Sequence, residues 1–540
     1  MHSKNERQLA ADVVERVRMN QRKLKSDLKA QYDFVVCGSG SSGSVVARRL
    51  AENSDISVLL LEAGGDDDVP SVMEASQWPM NLGSERDWNF QAQPNRYVNG
   101  RSVPLSMGKV LGGGSSINVM VWARGHKSDW DFFASEAGDP AWSYESVLKI
   151  YRDIEDWHGV PDPKYRGTGG PVFVEPAPNP NPIAPAMLEA ARSIGIPTFE
   201  NQNGRMMEGE GGASIIDVRA RNGKRQSVFR SYVFPYMDRP NLTVLTHALV
   251  TRLTFEGKRV TGVEISYEGR THCVRAGLEV VVSLGAIHTP KVLMQSGIGD
   301  QAELRRFGIP VVQHLPGVGQ NFQDHPRFGC VWEYAEALPP RNNLGEATFF
   351  WKSQSGIARP DLQTSQAEVP LASPENAATF GLPASGWTLA GSVVRPKSRG
   401  HIALTGPNLL DPVQIDANFL SHPDDLKAAI ACVELSREIG NSVPLRPFTK
   451  REVMPGNLKG AELENFVRDA VMSYFHETCT AKMGRDSMSV VDGSLKVYGI
   501  ENLRIADGSI MPRVTTGNTM APCVIIGERA AEVLRAEHKL

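Results

Sequence analysis

Apolar residues recur at helical spacing through the first thirty positions. Leu9, Val13, Val17, Leu24 and Leu28 fall on one stripe with charged residues between them. Residues 1–31 therefore predict an amphipathic helix that docks on the body of the protein or on another subunit. A targeting or membrane-surface role is the alternative, and acidic residues dilute the basic face it would need. The period then changes. Residues 32–37 form a short β-type run ending in Val35, Val36 and Cys37, and a Gly/Ser turn follows. Helical character over 45–52 leads to the apolar run Val58, Leu59, Leu60 and Leu61, as in a parallel strand buried on both faces. Strand, glycine turn, helix and strand make one βαβ unit. Further β-rich segments lie at 241–253, 260–267 and 279–284. Pro- and Gly-rich connectors occur near 159–185 and 334–345, and a polar, turn-rich section runs from about 320 to 470. The pattern predicts an α/β chain. A Rossmann-like domain is assembled from 32–158, 210–320 and 475–540, and a second domain, from 159–209 and 321–474, is inserted into it.

Composition narrows the classes of function. With 540 residues, 41% hydrophobic and 22% charged, the chain reads as globular rather than disordered or fibrous. A net charge of −3 gives no general attraction to nucleic acid or anionic lipid, and no basic patch with interleaved aromatics suggests nucleic-acid binding. No apolar stretch is long enough for a transmembrane segment, and no compact apolar core of a secretory signal is seen. The cysteines Cys37, Cys273, Cys330, Cys432, Cys479 and Cys523 are scattered without a C-x-x-C pair, which favours a reducing compartment and a cytoplasmic location. P-loop, H-E-x-x-H and G-x-S-x-G patterns are all missing.

The turn after the first strand carries chemistry. Gly38, Gly40 and Gly43 match G-x-G-x-x-G, with Ser42 inside the motif. Such glycines allow a tight turn, close approach of a pyrophosphate and close helix–strand packing, while the helix N-terminus offers free N–H groups to phosphate. Glu62, at the end of the next strand, is placed to accept hydrogen bonds from a ribose and would repel a 2′-phosphate. These residues predict a dinucleotide site but do not separate FAD from NAD.

A denser glycine–serine run follows: Gly108, Gly112, Gly113, Gly114, Ser115, Ser116 and Asn118, flanked by Val110, Leu111, Ile117, Val119 and Val121. It resembles the first signature of the glucose–methanol–choline (GMC) flavin oxidoreductases. Residues 285–299, with His288, Pro290, Ser296 and Gly297, are similar to the second signature, and residues 316–325, ending in Asp324 and His325, to another family stretch. The resemblance runs from about Tyr32 to the C-terminus and is weakest across the middle section. It implies FAD in an extended conformation, and a substrate domain built on an antiparallel sheet flanked by helices. Glu62 would take the adenosine ribose and Val250 would pack near the adenine. Gly108, Gly113, Gly114, Ser115 and Asn118 would lie beside the flavin, and Asp507 and Gly508 would close over it. Members with covalent FAD use a histidine one residue before the motif's asparagine. Ile117 stands there, so non-covalent FAD is expected.

His476 lies in a stretch similar to the family's H-x-x-G-T-x-x-M-G, with Cys479 where many members have glycine, and Asn518 lies where the family places a second His or Asn. The resemblance implies a catalytic pair. A neutral imidazole, with a reference pKa of about 6.5, suits removal of an alcohol's O–H proton as hydride passes to flavin N5. The asparagine amide would donate to the developing alkoxide. The expected function is oxidation of an alcohol CH–OH group, with a primary alcohol as the expected donor, to the carbonyl, with O₂ or a quinone-like compound as electron acceptor. A hydroxynitrile-lyase-like enzyme, which keeps FAD and the histidine without net redox, is the rival. Phe475 is expected against flavin or substrate. Thr364, Gln366 and Glu368 alternate in strand fashion and would share one face, and the resemblance, which implies a strand of this region bordering the substrate cavity, makes Gln366 and Glu368 pocket candidates. A Glu near an aromatic wall would suit a cationic alcohol, while the aromatics Phe349, Phe350 and Trp351 equally suit aryl alcohols or a core. A homo-oligomer is compatible with the sequence.

Overall fold

The computed structural model describes residues 2–540, with side chains in the first helix from Asp12 onward, so Leu9 of the predicted stripe lies outside the described side chains. That helix, His2–Ser26, packs on the body. Val17 and Gln21 are buried beneath it. The Gln21 amide bonds the Met237 and Leu242 carbonyls and accepts from Val244 N, which ties the helix to the strand Leu242–Leu245.

Two seven-stranded sheets organise the chain. In the first, Leu242–Leu245, Val58–Leu61, Gln31–Cys37 and the C-terminal half of Arg270–Val282 run parallel, and Leu503–Ile505 joins that half on its far side. The N-terminal half of Arg270–Val282 turns antiparallel to Arg259–Tyr267, which pairs with Leu249–Glu256. The apolar run Val58–Leu61 is wholly buried, as a parallel strand covered on both faces requires. The helix Ser41–Leu50 lies against Met520–His538 closely enough that a Cβ on Gly527 would sit 2.7 Å from the Ser42 carbonyl oxygen.

The second sheet is antiparallel, in the order Thr449–Met454, Pro326–Tyr334, Gly386–Val393, Leu362–Ala367, Ala347–Trp351, Gly212–Ile215, with Met472–Ser473 beside Pro326–Tyr334. Gly212–Ile215 falls within 210–320, the stretch assigned above to the first domain, yet it completes the second sheet. Four residues with no distinctive pattern do not announce which edge they will extend. The helix Pro423–Gly440 covers one face of this sheet, with Cys330 and Trp332 beneath it. Phe350, on the other face, touches Gly517. That second face looks towards the first domain, and the cavity described next lies between them.

Candidate active site

An elongated cavity of about 1710 Å³, partly open to solvent, runs from Glu62, Ala248 and Val250 at one end to His476 and Asn518 at the other. Its first wall is the glycine turn. Gly38 has φ +98°, and a Cβ there would lie 2.3 Å from the Ser283 carbonyl oxygen; a Cβ on Gly43 would lie 2.0 Å from the Gly38 oxygen. These two are glycines because backbone meets backbone. Gly40 and Gly114 differ: a Cβ on either would meet nothing within 4 Å, and both line the cavity. Their missing side chains leave room for a ligand rather than for the protein. Glu62 is buried and accepts from Ser39 N, Ser39 Oγ and Gly64 N. Burial pushes its pKa up while those hydrogen bonds oppose the shift.

Ser42, Gly108, Gly113, Asn118, Asp507 and Gly508 also line the cavity. Asn118 accepts from Arg225 Nη1 (2.9 Å) and Met120 N (3.0 Å). Asp507 accepts from Gly285 N, Thr289 Oγ1 and Ser509 N, which locks the C-terminal segment to the helix Gly285–Gln295. Ser115 does not reach the cavity: its hydroxyl donates to the Gly112 oxygen and accepts from Val228 N, so it braces the loop from behind. Gly43 likewise stands behind the lining. A long slot with backbone N–H groups and side-chain-free glycines at one end, and a buried carboxylate beyond them, fits an extended dinucleotide.

At the other end His476 is buried and held on three sides. Its Nε2 lies 3.2 Å from Asn518 Nδ2, its Nδ1 lies 2.9 Å from His325 Nδ1, and its backbone N–H donates to Asp324 Oδ1 at 2.9 Å. Asp324 also accepts from His325 N and Ser473 Oγ, so one carboxylate ties the 473–476 segment to His325. Gln363 Nε2 donates to Asn518 Oδ1 at 3.4 Å, which turns the Asn518 amide nitrogen towards His476. An amide nitrogen only donates, so His476 Nε2 is the acceptor and its proton sits on Nδ1, directed at His325 Nδ1. The Nε2 lone pair thus faces Asn518, which lines the cavity with it. Burial, reinforced by His325, pushes the pKa of His476 well below the ordinary value, so the ring is neutral.

Phe475 lines the cavity with φ +60°, while its neighbour Tyr474 stacks on His476 at 5.1 Å and 8°. Gln366 and Glu368 are not brought to the cavity. Gln366 accepts from Glu346 N, and Glu368 accepts from Arg341 N and the Asn181 amide. The reason is the alternation of the strand Leu362–Ala367: Thr364 turns to Cys432 and Ser436 of the covering helix, and Gln366 shares that side, whereas Gln363 faces Asn518. The face that carries Gln363, not the one that carries Gln366, is turned to Asn518. Gln363, His325 and the cavity-lining Arg327 carry no assigned role in the sequence analysis; for His325 the signal was its place in the quoted 316–325 stretch.

Comparison with known proteins agrees with this architecture. The GMC oxidoreductase family models match residues 32–327 and 396–527. The oxygen-dependent choline dehydrogenase of Brucella anthropi is 36% identical over 93% of this chain and 95% of its own length. That of Sinorhizobium medicae is 36% identical over 94% and 96%. Among solved structures, pyridoxine 4-oxidase from Mesorbium loti superposes with a TM-score of 0.89 at 31% identity, covering 94% of this chain and 99% of that one. Formate oxidase of Aspergillus oryzae RIB40 superposes with a TM-score of 0.86 at 26% identity, covering 94% and 99%. No helix among the described residues is long and apolar enough to cross a membrane. The chain belongs to the GMC oxidoreductase family, as an FAD oxidoreductase that acts on the CH–OH group of small molecules.

Proposed function

We infer that this protein oxidises an alcohol to the carbonyl, with His476 Nε2 taking the hydroxyl proton. The observation that carries the reading is the 3.2 Å pair of His476 Nε2 and Asn518 Nδ2, at the cavity, in a neutral ring whose tautomer is set from behind. A hydroxyl that replaces this direct contact and bridges the two groups would donate to the imidazole and accept from the amide, so negative charge developing on its oxygen meets a donor already in place. FAD would be held by Gly38, Gly40, Ser42 and Glu62 at its adenosine end, with Val250 near the adenine, and by Gly108, Gly113, Gly114 and Asn118 towards its ring, with Asp507 and Gly508 closing over it. When bound it supplies the hydride acceptor. The absence of a nucleophilic side chain at Ile117 supports dissociable FAD. Reoxidation by O₂ or by a quinone-like acceptor completes the cycle, and choline, the alcohol named for the Brucella anthropi relative, is one donor to test.

Anaerobic mixing of the FAD-loaded enzyme with a panel of alcohols tests the reading: bleaching of the flavin spectrum is expected, followed by peroxide or dye reduction on re-oxidation. His476→Ala should retain FAD and lose about 10²–10⁴-fold in reduction rate. Reduction at near-normal rate in that variant would overturn the assignment, and so would flavin that stays with the precipitated protein for the non-covalent attachment.

A further inference from the structure

Arg327 is the second residue of the strand Pro326–Tyr334 and follows directly on His325 and Pro326. Along this strand Cys330 and Trp332 turn to the covering helix, so Arg327 points to the opposite face, and it lines the cavity. The register carries it across the sheet: Arg327 pairs with Ser392, Ser392 with Gln363, and Gln363 with Phe350. Paired residues of antiparallel strands share a face, so this row of side chains ends beside Asn518, the partner of His476. With strands about 4.8 Å apart, the Arg327 and Gln363 backbones are separated by roughly 10 Å. The Arg327 backbone thus lies about a short molecule's length from that of Gln363, which bonds Asn518.

Other buried arginines of this chain have protein partners. Arg124 and Arg166 share Glu155, Arg166 adds Asp217, Arg504 binds Glu279, and Arg225 bonds Asn118 and backbone carbonyls. The Arg327 backbone is paired in the sheet, but its guanidinium has no hydrogen bond or ion pair to any of the described residues. The nearby carboxyls do not serve it. Asp324 is occupied by Ser473 Oγ and two backbone N–H groups, and Glu477, which lines the cavity, makes no ion pair with Arg327; burial, with Asp324 near it, pushes the Glu477 pKa up, against a charge there. In the same row Ser392 Oγ and Gln363 Oε1 are buried without a partner. A guanidinium is effectively always charged, and leaving one without a counter-charge in a partly buried site is unfavourable. Burial pushes its pKa down, opposed only by the Tyr474 hydroxyl.

We propose that the alcohol oxidised at His476 belongs to the small hydroxy carboxylates, and that Arg327 determines this specificity by binding the carboxylate through its planar fork. The proposal rests on the reading of His476 as the proton acceptor. Two parallel N–H groups match a carboxylate, and the anion would supply the missing counter-charge. A cationic alcohol in the same place would meet a like charge in a low-dielectric cavity.

The test uses the FAD-loaded enzyme and a short series of ω-hydroxy carboxylates, each paired with its neutral amide, with choline as cationic control. Flavin reduction should favour each acid over its amide, and choline should be poorest. Arg327→Ala should lower the acid-to-amide ratio of kcat/KM by about 10–100-fold, and Arg327→Lys by less, since it keeps charge but loses the fork. FAD content, read from absorbance, checks that the variants are folded and loaded. Equal losses for acid and amide, or choline as the best donor, would overturn the proposal. Should no alcohol of any charge reduce the flavin, the His476 reading fails, and propionate titration of the flavin absorbance decides about Arg327 alone. Saturable binding that weakens at least tenfold in Arg327→Ala supports an anion site, and its absence overturns it.

Discussion

Cys479 stands where many GMC members have glycine, and its φ of +78° explains the family preference: this is the left-handed region, which costs an L-residue about 1–2 kcal/mol. Cys479 is wholly buried, so its thiol serves packing. Cys479→Gly should therefore be more stable than Cys479→Ala by about 1 kcal/mol, the reverse of the usual order, and comparing the two melting curves checks it. A second residue-scale expectation concerns His325. Replacing it by Ala removes the acceptor that keeps the His476 proton on Nδ1; kcat for flavin reduction should fall about 10–100-fold with KM nearly unchanged, and His325→Gln, whose amide oxygen can accept the same bond, should recover part. A third is the pH profile. Because the pKa of His476 is lowered, the base is already deprotonated at the ordinary value of about 6.5, and its acid limb should lie well below that pH. A limb centred near 6.5 would count against the burial described for it. The same sign governs stability: folding favours the neutral ring, so its contribution is complete above about 6.5 and is lost as pH falls towards the lowered value.

At the scale of elements, the glycine turn separates two kinds of glycine that the motif alone treats alike. Gly43→Ala would drive a methyl into the Gly38 carbonyl and should lower both stability and FAD content. Gly40→Ala has open space, so the apoprotein should melt as the parent does while FAD affinity drops, because the methyl enters the room left for the ligand. Isothermal titration of apoprotein with FAD, beside its melting curve, distinguishes the pair. The βαβ unit was legible in the sequence because period and glycine spacing are local properties. His476 and Asn518 were legible only through resemblance, since nothing local brings them together. The error at Gln366 and Glu368 has a definite origin: alternation tells which residues share a face but not which face the rest of the chain will cover. Arg327 is illegible for a similar reason: an arginine early in a strand reads as an ordinary edge residue, and only the fold shows its guanidinium to be without a partner.

Across the whole molecule, the cofactor cavity is where the two domains meet, and its walls come from distant parts of the chain: Gly38 and Glu62, Gly108–Asn118, Ala248–Val250, His476, and Asp507–Met520. A ligand that touches all of them binds only the folded state. FAD at about 100 times its Kd should add about 2.7 kcal/mol to stability, read as a rise in melting temperature on reconstitution; no shift would mean that the cavity does not hold it. The geometry also has a consequence for synthesis. Ser42 Oγ donates to the Cys523 carbonyl, a contact that spans 481 residues and joins the helix behind the glycine turn to the helix Met520–His538. At about 5–20 residues per second, the ribosome needs roughly 25 to 95 s to make the second partner after the first. Throughout that interval the nascent chain displays a nucleotide turn with no opposite wall. Flavin capture is thus a late event in the life of each new molecule, and translation stalled anywhere before Asp507 would leave a chain that cannot retain its cofactor.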